Sequence, residues 1–161
     1  MNAVSDTGPL IALAKVGRLG LLPQLFEQVE IPPMVHRELL AKSGPEAAAL
    51  DHALDRFFQV TPTKELPPPV IVATSRLDEG ERQAIALAFE RRSLLLMDDL
   101  QGRGAARRLG LVVTGIVGVL VQCKAAGYLP AVGPLLRDIR QQGYWLSDEL
   151  LHTAAKMANE V

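Results

Sequence analysis

Residues 78–99 read DEGERQAIALAFERRSLLLMDD. Two periods meet inside this segment. From Asp78 onward, Ala84, Ile85, Leu87 and Ala88 recur at the spacing of one helix face. Arg91-Arg92 reads as a solvated helix end, and Ser93 to Met97 is a short apolar run that stops at Asp98-Asp99. An apolar run that brief is a strand covered on both faces, and such strands belong to parallel sheets flanked by helices. Consecutive acids at the end of a buried strand are costly without a partner, so this strand end is a candidate site.

The flanking sequence repeats the alternation. Met1 to Ser5 is a short strand that delivers the turn Ser5-Asp6-Thr7-Gly8-Pro9. A helix follows with Leu10, Leu13 and Ala14 on one face, then a second short apolar helix carrying Leu19, Leu21, Leu22, Leu25 and Phe26. Val29-Glu30-Ile31 is a strand stopped by Pro32-Pro33, and Pro33 opens a helix that runs to about Lys42. Gly44-Pro45 punctuates; an alanine-rich helix from about Glu46 to Phe57 leads into a strand near Phe58 to Thr61. Pro62 to Arg76 reads as a surface excursion in which Pro67-Pro68-Pro69 forbids helix and Val70-Ile71-Val72 is extended. Past the acidic pair, Arg103 to Leu109 is a short helix closed by Gly110, and Leu111-Val112-Val113 is a buried strand ending at Thr114-Gly115. Three helices finish the chain: roughly Ile116 to Ala126, Pro130 to Gln142 and Ser147 to Asn159. The pattern predicts one α/β domain over residues 1–161, a three-layer α/β/α arrangement with a central parallel sheet. That sheet should hold about four to five strands, with the helices of about 130–159 packed on it.

Composition narrows the function. The chain has 161 residues, 48% hydrophobic and 22% charged, enough for a full core and unlike a disordered chain. No apolar run reaches the roughly 18 residues of a membrane span. A start without signal-peptide character and a single Cys123 lead us to expect a soluble cytoplasmic protein with no disulfide. The formal net charge is −1 and aromatics are 4%, which argues against binding nucleic acid by a basic excess or a stacking platform. A nucleic-acid ligand would need metal ions and a few local arginines to offset the acids.

Those acids fall where a parallel sheet presents ligands, at the carboxyl ends of strands. Asp6 ends the first strand, Asp98-Asp99 ends another, and Thr114 ends a third. Glu81 precedes Ala84, Ile85 and Ala88 by three, four and seven positions, so it tops the apolar stripe of its helix. Glu38, three beyond Val35 and four beyond Met34, lies beside the apolar face of its own helix. Clustered carboxylates repel unless a cation lies between them, and hard oxygen donors suit magnesium or manganese. Such a centre lowers the pKa of water and stabilises charge in phosphodiester hydrolysis. His36, His52 and His152 show no ligand spacing.

Each candidate has a plainer alternative. Asp6 is also good helix-capping sequence, and Asp78-Glu79-Gly80-Glu81 has the spacing of a capping box. Glu38 has the rival role of a solvated helix residue, and Asp98-Asp99 that of turn chemistry. Arg107 and Arg108 suit a helix C-terminal dipole, whereas Arg103 is the arginine expected to touch a ligand phosphate. Tyr144 and Trp145 are expected in the core, with an interface as the alternative. A phosphorylation receiver, also doubly wound, needs paired acids after its first strand; here the pair comes late.

Four segments together resemble the motifs of PIN domains. They are Ser5-Asp6-Thr7-Gly8-Pro9-Leu10-Ile11, Ile31-Pro32-Pro33-Met34-Val35-His36-Arg37-Glu38-Leu39, Leu77-Asp78-Glu79-Gly80-Glu81-Arg82-Gln83-Ala84, and Leu96-Met97-Asp98-Asp99-Leu100-Gln101-Gly102-Arg103. Their form is that of a less-characterised bacterial and archaeal branch related to VapC-type toxins, and the likeness extends from Val113-Thr114-Gly115 through the final helices. The resemblance implies a PIN-like fold and a Mg2+- or Mn2+-dependent ribonuclease, commonly the toxin of a toxin–antitoxin pair. It implies an acidic quartet of Asp6, Glu38, Glu81 and one of Asp98 or Asp99, with Asp98 favoured and hydroxyl contacts from Thr7 and Thr114. Many PIN proteins place aspartate at the third position, so Glu81 is a departure. An antitoxin partner with an arginine for the acidic pocket, and a homodimer through the first helices, are further implications.

Overall fold

Every strand pairing in the sheet of the computed structural model is parallel, and the description covers residues 1–161. The strands are β1 (Asn2–Ser5), β2 (Gln28–Ile31), β3 (Phe58–Val60), β4 (Leu94–Leu96) and β5 (Val113–Thr114), in the order β3-β2-β1-β4-β5. Between them run α1 (Thr7–Lys15), α2 (Leu21–Leu25), α3 (Pro33–Leu40), α4 (Glu46–Arg56), α5 (Pro68–Ala73), α6 (Glu79–Arg91) and α7 (Leu100–Arg108). After β5 come α8 (Ile116–Ala125), α9 (Gly133–Gln141) and α10 (Asp148–Met157). The three-layer α/β/α arrangement is the one the alternation of periods predicts.

The pleat divides the core in two. Successive side chains of a strand point to opposite faces: Ala3 and Leu96 join one apolar cluster, while Val4, Leu95 and Met97 join the other. The first cluster takes in Leu10 and Leu13 of α1, Leu50 of α4, Leu120 of α8, Leu136 of α9 and Ala154 of α10. The second takes in Val70 of α5, Ile85 and Leu87 of α6, and Ala105 and Ala106 of α7. Glu30 of β2 is a buried carboxylate in the sheet. Thr61 Oγ1 donates to it at 2.6 Å and Arg91 lies 3.2 Å away, so Arg91 is paired rather than simply solvated. Arg92 closes α6 in the left-handed region, at φ 52°.

Four local expectations are corrected. Pro68 and Pro69 open a helix instead of forbidding one, because a first turn needs no N–H partner. That helix buries Val70 completely, so 70–72 is not extended. The helix α7 starts at Leu100 and not Arg103: Asp99 caps it, accepting from Gly102 N at 2.7 Å, and this offsets the low helix propensity of Gly102 and Gly104. The strand β5 is only two residues long and half-buried, with Val112 exposed before it, as befits a sheet edge. Trp145 is 83% exposed and takes no part in the core.

Ile85 is fully buried one turn beyond Glu81. Ile85→Ala should cost about 2–5 kcal/mol of unfolding free energy, read by urea denaturation; a negligible loss would contradict the packing of α6 on the sheet.

Candidate active site

Strand order reverses once, between β1 and β4. From β1 the chain turns into α1 on one face, and from β4 it turns into α7 on the other, as their core clusters show. A crevice therefore opens at the carboxyl ends of these two strands, where open parallel sheets bind ligands. Asp6 follows β1 directly, and its N–H donates to Leu96 O at 2.9 Å, the last residue of β4. Asp98 lies two residues past that carbonyl, near enough to raise the pKa of Asp6 through its charge.

The other expected acids arrive from the helices. Glu38 of α3 accepts from Thr7 Oγ1 at 2.5 Å and acts electrostatically on Asp6. Glu81 stands in the first turn of α6 with its Oε2 buried and without a hydrogen-bond donor. The carboxylates of Asp78 and Asp99 lie against Glu81. All of these oxygens are acceptors, so only a proton or a cation can join them.

Glycines allow this crowding. A Cβ on Gly80 would collide with Glu38 Oε1, and one on Gly115 with Asp98 Oδ1 and Arg103 Nη1. One on Gly102 would lie 3.4 Å from both Asp99 Oδ2 and Glu81 Oε2 and strike Met97.

The electrostatics follow from burial without compensation. Burial first, opposed by the Thr7 N–H and reinforced by Glu38, Asp78 and Asp98, pushes the Asp6 carboxyl up to about 7. Burial and then the neighbouring Asp78 and Asp99 push Glu81 up to about 8. Asp98 is also raised by burial, but Tyr144, the Ile116 N–H and the charge of Arg103 all work against that rise. Burial, and then Arg107, lower the pKa of Arg103, while Asp98 holds it up.

Two subsets emerge: Asp6, Glu38 and Asp98 on one side, Glu81, Asp78 and Asp99 on the other. No group of three or more His, Cys, Asp or Glu side chains converges tightly enough to form a finished metal cage. The donor chemistry nonetheless fits a hard divalent cation: all ligands are oxygens, two carboxylates are held near or above neutrality, and Glu81 Oε2 lacks any donor.

The plainer alternatives separate here. Asp6 occupies the N-cap position of α1 but makes no side-chain capping bond. Asp78 does cap α6, accepting from Glu81 N at 2.8 Å, yet the return bond of a capping box is missing. Asp99 is an exposed helix cap, whereas Asp98 accepts from Ile116 N at 2.8 Å and from the Tyr144 hydroxyl at 2.5 Å. The Thr7 hydroxyl is committed to Glu38, and that of Thr114 packs on Gly118 of α8. Arg103 is half-buried beside Asp98. Two site residues escaped the sequence reading: Asp78, seen only as a cap, and Tyr144, expected in the core. The glycines within the motifs were the available signal for crowding.

A switch-point crevice lined with carboxylates defines a protein of the acidic-pocket α/β class. The PIN-domain family model matches residues 2–160, and the chain belongs to that family, whose members are usually nucleases that typically use divalent metal ions. No curated protein sequence matches the chain. Among solved structures, the chain is similar to a PilT N-terminus domain protein from the archaeon Sulfolobus solfataricus P2. The TM-score is 0.54 and the identity 23%, covering 82% of this chain and 97% of the other, which supports the fold.

A carboxyl whose folded-state pKa exceeds its unfolded value binds extra protons in the folded state between the two, so stability falls as pH rises through that window. For Asp6 the window runs from 3.8 to about 7, and for Glu81 from 4.5 to about 8. Glu160, held down to about 2, acts only below 4.5. The metal-free protein should therefore melt at lower temperature as pH rises from about 5 to 8, and Asp6→Asn should flatten the slope. A melting temperature that climbs across this range in calorimetry would contradict the uncompensated burial.

Proposed function

We propose that the chain is a PIN-type, Mg2+- or Mn2+-dependent endoribonuclease that hydrolyses single-stranded RNA. The single observation behind this reading is the pairing of Asp6 and Asp98 across the β1–β4 crevice, with Glu38 and Glu81 brought to it from α3 and α6. Asp6 and Asp98 in one subset, and Glu81 and Asp99 in the other, are the carboxylates that would hold divalent cation. Bound there, it supplies a lowered pKa to water and neutralises charge on the phosphate. Glu38, anchored through Thr7, keeps the anionic field around Asp6. Glu81 Oε2, buried and without a donor, is the oxygen left open for that cation. Arg103, half-buried beside Asp98, would offer its guanidinium to an RNA phosphate.

Single-stranded substrate is supported by a groove of about 480 Å3 between α5 and α7, lined by Val72, Arg76, Leu77, Leu100 and Arg108. It adjoins the site in sequence, since Leu77 precedes Asp78 and Leu100 follows Asp99. Neither Arg76 nor Arg108 forms an ion pair. A near-neutral protein can thus offer local cations to a strand leaving an acidic cup. A cavity of about 690 Å3 lies among Ser93, Leu94, Leu111 and Val112 at the amino end of β4 and includes none of the acidic set.

The finer reading is a cytoplasmic toxin restrained by an antitoxin whose arginine enters the cup. A homodimer belongs to the same reading, but the apolar side chains of α1 and α2 are largely buried in their own core. Exposed Trp145, outside the groove, is the better contact residue. A second reading, a PIN-fold binding module without catalysis, is favoured by the absence of a three-carboxylate convergence and by the two bonds already made to Asp98.

Single-stranded RNA should be cut with Mn2+ or Mg2+ and left intact with chelator, and Asp6→Asn should lower the rate by about 100-fold or more. Robust cutting by that variant would remove Asp6 from the mechanism. A wild-type protein whose melting temperature ignores Mn2+ would instead favour the binding module. Arg76→Glu with Arg108→Glu should raise the KM for RNA about 10-fold or more with kcat little changed, checked by steady-state kinetics at low salt.

A further inference from the structure

The loop between α9 and α10 sends one side chain into the crevice. Tyr144 donates its hydroxyl to Asp98 Oδ2 at 2.5 Å, while Ile116 N–H at the start of α8 donates to Asp98 Oδ1 at 2.8 Å. Each oxygen of this carboxylate therefore has one protein donor, and each keeps a lone pair free. The two donors come from opposite ends of the group and fix the plane of the carboxylate. The hydroxyl reaches across α1: a Cβ on Gly8 would come within 2.9 Å of it and 3.9 Å from Asp98 Oδ2. Gly8 lies two residues beyond Asp6, so the hydroxyl sits between the start of α1 and Asp98.

The loop itself is held. Tyr144 N–H bonds Ile139 O at 3.2 Å, Leu146 is buried two residues on, and Ser147 caps α10. The ring packs against the first apolar cluster, so its body is a core contact and only its hydroxyl is polar. A phenylalanine would fill the same space. The hydroxyl is the part that the core does not require.

We propose that Tyr144 is a positioning residue that orients Asp98 for cation binding, acting through its hydroxyl. The proposal rests on the metal-dependent reading given above. Partners that orient a ligating carboxylate typically change metal affinity by about 10–100-fold when removed. The converse role, a hydroxyl that occupies the place of the cation, predicts the opposite sign.

The test is Mn2+ binding by calorimetry and by the electron paramagnetic resonance of free Mn2+, without RNA, on wild type, Tyr144→Phe and Gly8→Ala. Gly8→Ala displaces the hydroxyl while keeping the tyrosine. Both variants should bind Mn2+ about 10-fold or more weakly, with the melting temperature of the metal-free protein little changed. In turnover, kcat should fall while KM for RNA stays near the wild-type value. Wild-type-like Mn2+ affinity in a folded Tyr144→Phe overturns the proposal, and so does tighter binding, which would mark the hydroxyl as a competitor. No Mn2+ binding by the wild type overturns this proposal and the metal-dependent reading together; binding by the wild type with an unaffected variant overturns this proposal alone.

Discussion

Asp6 and Asp98 stand side by side because the strand order reverses between β1 and β4, and the burial of acidic side chains together at that point is the constraint around which the site is arranged. Two unit charges about 4 Å apart repel by about 1 kcal/mol in water and by about 4 kcal/mol in a partly buried setting. A flexible chain would relax that cost by moving the groups apart. Here it cannot, because both residues follow central strands packed on two faces: Ala3 and Val4 precede Asp6, and Leu95, Leu96 and Met97 precede Asp98, all fully buried. Apolar burial holds the groups together, and that burial, with a smaller part from the neighbouring acids of Asp6, survives as raised pKa values instead of a displaced loop.

The rest of the chain satisfies its buried carboxylates without difficulty. Glu30 has Thr61 and Arg91. Glu46 has Lys15 at 3.4 Å, and its pKa is lowered, first by its own backbone N–H. Glu160 accepts from Val132 N, Gly133 N and Lys124 and is held down to about 2, the backbone bonds contributing most. Against that background, Asp6 without a capping bond and Glu81 Oε2 without a donor stand apart. Structural acids that are paired, beside these two less satisfied ones at a switch point, are the pattern on which the proposed cation site rests.

What the sequence made legible follows from the range of each signal. Periodicity is local, so the strands of the sheet and most helices could be read from it, as could the acids at strand ends and the inward phase of Glu81. Capping competes with composition over a few residues, and composition misled at both proline-rich α5 and glycine-rich α7: Pro67-Pro68-Pro69 and Gly102 looked like breakers and proved to be a first turn and a capped one. Solvent exposure of Val112 depends on which strand lies at the edge, and that of Trp145 on how the loop between α9 and α10 packs, neither of which a local pattern encodes. The Tyr144–Asp98 bond joins residues 46 positions apart through a loop with no period at all, so only the folded chain discloses it.

That bond changes how the C-terminal helices are understood. As cover for one face of the sheet, α8, α9 and α10 need only apolar side chains. They carry more than that: Lys124 of α8 and the start of α9 are stitched to Glu160 beyond α10 by bonds of 2.6–2.9 Å, counting Lys124 to Ala158 O. Carboxylate acceptance at a helix N-terminus is favoured by the dipole as well as by the donors. The stitched unit presents Ile116 N–H from one end and the Tyr144 hydroxyl from the other, both to Asp98. A covering layer that also supplies both donors to one acidic side chain links the stability of the last third of the chain directly to the geometry of the crevice.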